Sequence, residues 1–322
     1  MTNITKIIVF LTLLLSPLAM SAQRSGYVIS AKNAEAAVSE NYVRNVVYYL
    51  SSESLGGRGC CTEGSAAAAR WIADEFKNAS LENMGGTYLH GFRMSGGLAR
   101  NVIGYLPGSS DGWVIVMAHF DDLGKLGNTF FPGADSNASG VAALLQIVKM
   151  FARMKECHKT YSRSILFVAL DGKEDDLAGA SDLWRRIQDG RLGFSAQDVA
   201  LVVNLDQLGG TSAPLTKGNP DYLMMLSEER GCRREELLSA AKSQHINLEI
   251  GFDYYGSKDF TNLFYRKISD QKIFLDNGIP SVMFTSGITM LNNKPGDTPE
   301  TLDYPVLVKR IRLIFHYLDR VL

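Results

Sequence analysis

Cysteine is scarce in this chain: 322 residues contain four, Cys60, Cys61, Cys157 and Cys232. None lies in a C-x-x-C pair or near a histidine at zinc-finger spacing, which excludes the common cysteine-based structural zinc sites. Four cysteines allow three complete disulfide pairings that spacing does not rank, and structural or free thiols are the expected state. An excess of charge of one sign is lacking too, since 33 Lys and Arg stand against 34 Asp and Glu. That balance leaves no electrostatic footprint for nucleic acid or for an anionic membrane surface. Internal repeats, low-complexity tracts and Pro- or Ser-rich linkers are missing after the N-terminal region, which argues against separable domains. No cysteine precedes Cys60, so a lipid-carrying N-terminal cysteine is not expected.

What is present begins with a short apolar run. Lys6 is followed by almost unbroken apolar residues from Ile7 to Met20 and then by Ser21 and Ala22. A basic start, a short apolar stretch and small residues make the pattern of a secretory signal peptide. The run is shorter than the ~20 residues a membrane span needs. Residues 1–22 are therefore expected to be a cleaved signal rather than an anchor, with export to the periplasm or medium and no membrane attachment afterwards. Residues 23–322 suit one large α/β domain. Their core has ample material, as 46% of the chain is hydrophobic.

Four apolar runs end in polar loops: Trp113–Ala118 before His119 and Asp121, Ser164–Leu170 before Asp171–Asp176, Ala200–Leu205 before Asp206, and Pro280–Thr285. Continuous apolar strands belong to a sheet covered on both faces. Helical spacing marks Gly140–Met154, with Ser139 or Asn137 as cap, and the segment after Pro305, with shorter helices around Tyr42–Leu50 and Ala66–Lys77. The alternation predicts an α/β three-layer sandwich around a mostly parallel sheet. In such sheets ligands sit beyond the carboxyl ends of the strands. His119, Glu174 and Asp206 all follow strand ends and should converge on one edge. Each alone is weak: a lone His is more often structural, an acidic run is usually solvated, and an Asp after a strand can cap a helix.

The chain resembles the co-catalytic zinc exopeptidases, a family of secreted bacterial aminopeptidases whose relatives include glutaminyl cyclases and the transferrin receptor ectodomain. The resemblance runs through Gly57-Arg58, Gly64 and Ala66–Ile72, then Asn101–Gly108, Ala118-His119-Phe120-Asp121, and Pro132–Leu145. It continues with Asn204-Leu205-Asp206, Ser269-Asp270 to Pro280, and Pro295–Glu300. It implies two zinc ions bridged by an aspartate and a water, with a glutamate as general base. On that resemblance His119 and Asp206 match ligands of one zinc, Glu174 matches a ligand of the other, and Asp121 orients the imidazole.

Three positions depart from the family's pattern. Ser136 stands where the bridging Asp belongs, Lys173 where the general-base Glu belongs, and Asn293 where a late His ligand belongs. Zinc, the cofactor the resemblance implies, then keeps too few ligands, since its sites normally show three or four. The expectation is a non-catalytic protein with a degenerate metal and general-base site that binds a peptide or protein partner in the cleft, with Lys173 as counter-charge to Glu174 or Asp206. The alternative is an active aminopeptidase or glutaminyl-cyclase-like enzyme in which Asp135 swings in for Ser136 around a single metal, zinc or a hard cation such as calcium.

Overall fold

A computed structural model describes residues 33–211, 218–228, 232–254 and 256–322. The expected signal peptide at residues 1–22 lies outside the described residues. Among those described, no helix is long and apolar enough to cross a membrane.

The chain enters through α1 (Glu40–Leu50) and α2 (Glu63–Asn78), each started by a side chain that accepts a first-turn N–H, Ser39 from Tyr42 and Thr62 from Ser65. A meander follows: β1 (Glu82–Asn83), β2 (Leu89–Met94) and β3 (Gly97–Leu106). Then β4 (Trp113–His119) leads through the small hairpin β5 (Lys125–Leu126) and β6 (Thr129–Phe130) into α3 (Ser139–Glu156) and β7 (Ser164–Leu170). After α4 (Ala178–Gln188) and β8 (Val199–Leu205) come β9 (Tyr222–Ser227), α5 (Arg234–Ser243), β10 (Glu249–Gly251), α6 (Lys258–Lys267) and α7 (Gln271–Leu275). The chain closes with β11 (Ser281–Thr285) and α8 (Tyr304–Val321), which Asp303 caps by accepting from Val306 N–H.

Among the described residues nine strands form one sheet in the order β1-β3-β7-β4-β8-β11-β9-β10, with β2 also on β3. The four apolar runs of the sequence are its centre. Strands β7, β4, β8 and β11 lie side by side and parallel, as expected of strands buried on both faces. The flanks are antiparallel, at β3 against β7 and at β9 against β11. Side-chain alternation divides the core into layers. Val114, Val116 and Ala118 of β4 pack towards α1, α2, α3 and α8, while Ile115 and Met117 pack towards α4 and α7. This is the three-layer sandwich that the alternation predicts.

Candidate functional site

His119 is the last residue of β4, Asp206 follows the last residue of β8, and the Gly172-Lys173-Glu174 loop leaves β7, so three adjacent strands deliver them to one edge. A single amide ties this edge together. The Asn137 side chain donates to His119 O at 3.3 Å and to Leu205 O at 2.9 Å, and its Oδ1 accepts from Gln207 N–H and Gly140 N–H at 3.0 and 3.1 Å. Of the two caps expected for α3, Asn137 thus reaches its first turn, whereas the Ser139 hydroxyl donates to Asp135 O and accepts from Leu208 N–H. Glycine is required at Gly140, because a Cβ there would lie 2.5 Å from Leu205 O.

The pocket is a ladder of opposite charges. His119 Nδ1 lies 3.1 Å from the Asp121 carbonyl and 3.7 Å from its carboxylate Oδ1, and Nε2 faces Asp206 Oδ1 at 3.6 Å. All three side chains are buried. Burial disfavours the imidazolium, yet the Asp121 and Asp206 carboxylates outweigh it and raise the His119 pKa to about 10. Burial likewise opposes ionisation of Asp206, but His119, Lys173 and Ser269 Oγ, which donates to Asp206 Oδ2 at 2.6 Å, hold it at about 2. Lys173 Nζ donates to Glu174 Oε1 at 2.6 Å with only 14% of its side chain exposed. Burial works against its charge, and Asp206 and Glu174 overcome that and keep the ammonium well above the ordinary lysine range. Glu174 N–H in turn donates to Asp121 Oδ2 at 3.2 Å.

The sequence pattern that defines peptidase family M28 matches residues 101–318, more than half of the chain and the whole stretch that carries these side chains. The chain belongs to peptidase family M28. A probable zinc metalloprotease of Pyrenophora teres f. teres is 22% identical over 303 residues, covering 85% of this chain and 62% of that protein. The chain therefore spans less than two thirds of that relative's length. Among solved structures, the LapA aminopeptidase of Legionella pneumophila superposes with a TM-score of 0.69 at 15% identity, covering 89% of this chain and 73% of that one. Glutaminyl cyclase of Porphyromonas gingivalis gives a TM-score of 0.63 at 17% identity, covering 88% of this chain and 99% of that one. At these identities the superpositions show a shared fold.

Within this M28 chain the remaining expected positions separate. Ser136 is buried with its hydroxyl unpartnered, its N–H donating to Asp297 Oδ2 at 3.0 Å. Asp135, the replacement ligand of the alternative reading, has its Oδ1 accepting from Gly209 N–H, Gly210 N–H and Ser139 Oγ at 2.8–3.1 Å. Two backbone N–H donors hold that carboxylate, and it lines a separate cavity of ≈160 Å³. Asn293 is exposed and lines a cleft of ≈680 Å³ together with Lys173, Glu174, Asp206, Gln207 and Ser269. Two residues gain roles that motif matching did not assign. Ser269 holds Asp206 and is itself bonded by Asn204 Nδ2 at 2.8 Å. Asp270 is buried with both carboxylate oxygens unpartnered, and burial raises its pKa to about 7. The recurring Ser269-Asp270 pair was the available signal.

Proposed function

We propose that this M28 chain is an exported protein that binds a peptide or a partner protein in the cleft beyond the ends of β7 and β8 without hydrolysing it. One observation carries the proposal: a half-buried ammonium, Lys173 Nζ, sits 2.6 Å from Glu174 where the family's pattern has its general base. A lysine held in its charged form accepts no proton, and it repels a dication. Absence of a general base alone costs ~100- to 10,000-fold in rate. Among the described residues no group of three or more His, Cys, Asp or Glu side chains is arranged to hold a metal ion. With Ser136, Lys173 and Asn293 at three of the matched positions, His119, Asp206 and Glu174 are fewer ligands than two zinc ions normally take. The cleft, at ≈680 Å³, is within the ~300–1,000 Å³ of ordinary ligand pockets.

A second reading, an aminopeptidase or glutaminyl-cyclase-like enzyme with one metal, is favoured by His119 Nε2 and Asp206 Oδ1. Both atoms are buried and lack hydrogen-bond partners, and they lie 3.6 Å apart. An assay against a panel of amino-acyl reporters and an N-terminal glutamine peptide, with added zinc or cobalt, decides between the two. We expect no turnover above the buffer rate. Metal-dependent turnover that His119→Ala abolishes would establish the second reading instead.

A further inference from the structure

Behind the Lys173 loop lies a cluster of sulfur that the exopeptidase chemistry leaves unused. Cys60 and Cys61 sit between the 3-10 turn Glu53–Arg58 and α2, and Met94 is the last residue of β2. Cys60 Sγ is 3.7 Å from Cys61 Sγ and 3.5 Å from Met94 Sδ. Gly172, one residue before Lys173, closes the cluster: a Cβ there would lie 3.3 Å from Cys60 Sγ and 3.4 Å from Met94 Sδ. Both cysteines and Met94 are half-buried, so an ion has a path to them.

Two thiols and a thioether are soft donors, the set that selects copper(I) over oxygen-seeking cations. With metal–sulfur bonds of ~2.3 Å, three sulfurs in a trigonal plane stand about 4 Å from one another. The two separations here fall short of that by only a few tenths of an ångström. A disulfide between Cys60 and Cys61 would bring their sulfurs to ~2.05 Å and leave Met94 Sδ without a part to play. Asp171 stands near the thiols, its Oδ2 accepting from Ser65 Oγ and from Arg100 N–H at 3.0 Å each.

We infer that Cys60, Cys61 and Met94 form a binding site for a soft monovalent ion of the copper(I) class, separate from the M28 cleft but sharing its Gly172 loop. Uptake replaces two S–H bonds by two copper–thiolate bonds, adds one copper–thioether bond and releases two protons to solvent, with no change of oxidation state. Burial, with Asp171 and Asp121 nearby, pushes the free Cys60 thiol up, so those protons are present to be released.

The test is an anaerobic titration of the intact protein, reduced with a phosphine, with copper(I) in competition with a colorimetric copper(I) chelator. Wild type should withhold one equivalent, Cys60→Ser and Cys61→Ser should withhold none, and the volume-conserving Met94→Leu should bind at least tenfold more weakly. Copper retained by His119→Ala supports a site outside the cleft, and its loss there overturns the assignment. X-ray absorption of the copper-loaded wild type should show three sulfurs at about 2.3 Å. Should the serine variants fail to fold, that spectrum and Met94→Leu decide alone: two sulfurs with undiminished Met94→Leu affinity sinks the three-sulfur site. A wild type that withholds no copper after reduction, including one isolated as a Cys60–Cys61 disulfide, overturns the proposal.

Discussion

Between the carboxylates of Asp121 and Asp206, His119 is an imidazolium at neutral pH, whereas a histidine that ligates zinc must be neutral. Its folded pKa, about 10, lies above the ~6.5 of an unfolded histidine. The stabilisation it gives is therefore complete below pH ~6.5 and is lost as pH rises through about 10. The ring ¹⁵N signals of His119 should stay those of a doubly protonated imidazole from pH 5 to 8.5. Asp206→Asn, which removes one of the two carboxylates, should bring the midpoint down. A wild-type midpoint near 6.5, or a single neutral tautomer at pH 7, would show that the charge ladder is not the solution state. Lys173 works in the opposite direction on His119, since two like charges share the pocket. The three carboxylates of Asp121, Glu174 and Asp206 are what allow both cations to persist.

Strand ends are the elements on which the pocket depends, and Asn137 joins two of them. Its amide satisfies carbonyls at the ends of β4 and β8 and its oxygen satisfies N–H groups of Gln207 and α3. Asn137→Ala leaves these buried groups without partners, at ~1–3 kcal/mol for each unsatisfied group that water does not reach. We expect a loss of about 3 kcal/mol in urea unfolding, because neighbours relax only in part. A loss below about 1 kcal/mol would mean that the two strand ends hold together without it. The parallel centre of the sheet was legible in the sequence because β7, β4, β8 and β11 are unbroken apolar runs and His119 and Asp206 follow them directly. The segment from β9 to β10 was not, since Tyr222–Ser227 earns its place through long-range pairing with β11, which no local pattern announces. The direction of Asp135 was equally hidden: spacing places it beside Ser136, but the backbone N–H groups of Gly209 and Gly210 hold its carboxylate.

At the scale of the whole molecule, the proposed function assigns the counter-charge at the edge of the cleft to protein cations, His119 and Lys173, which face the carboxylates. Thermal unfolding of the wild type should then be unchanged by a chelator or by added zinc, at a resolution of about 1 °C. The combined variant Ser136→Asp, Lys173→Glu, Asn293→His exchanges that internal counter-charge for a ligand set. Without zinc it should unfold at lower temperature than wild type, since buried carboxylates lose Lys173 as partner. With free zinc at 100 times the dissociation constant, binding to the folded state adds about 2.7 kcal/mol. For a chain of this size that is a rise of roughly 4 °C. The pair of measurements separates two meanings of failure. A variant that is destabilised yet gains nothing from zinc shows that positions 136, 173 and 293 do not match the family's ligand and base positions. A wild type that is itself stabilised by zinc shows that His119 and Asp206 still hold an ion despite Lys173, and the cleft then belongs with the single-metal enzymes.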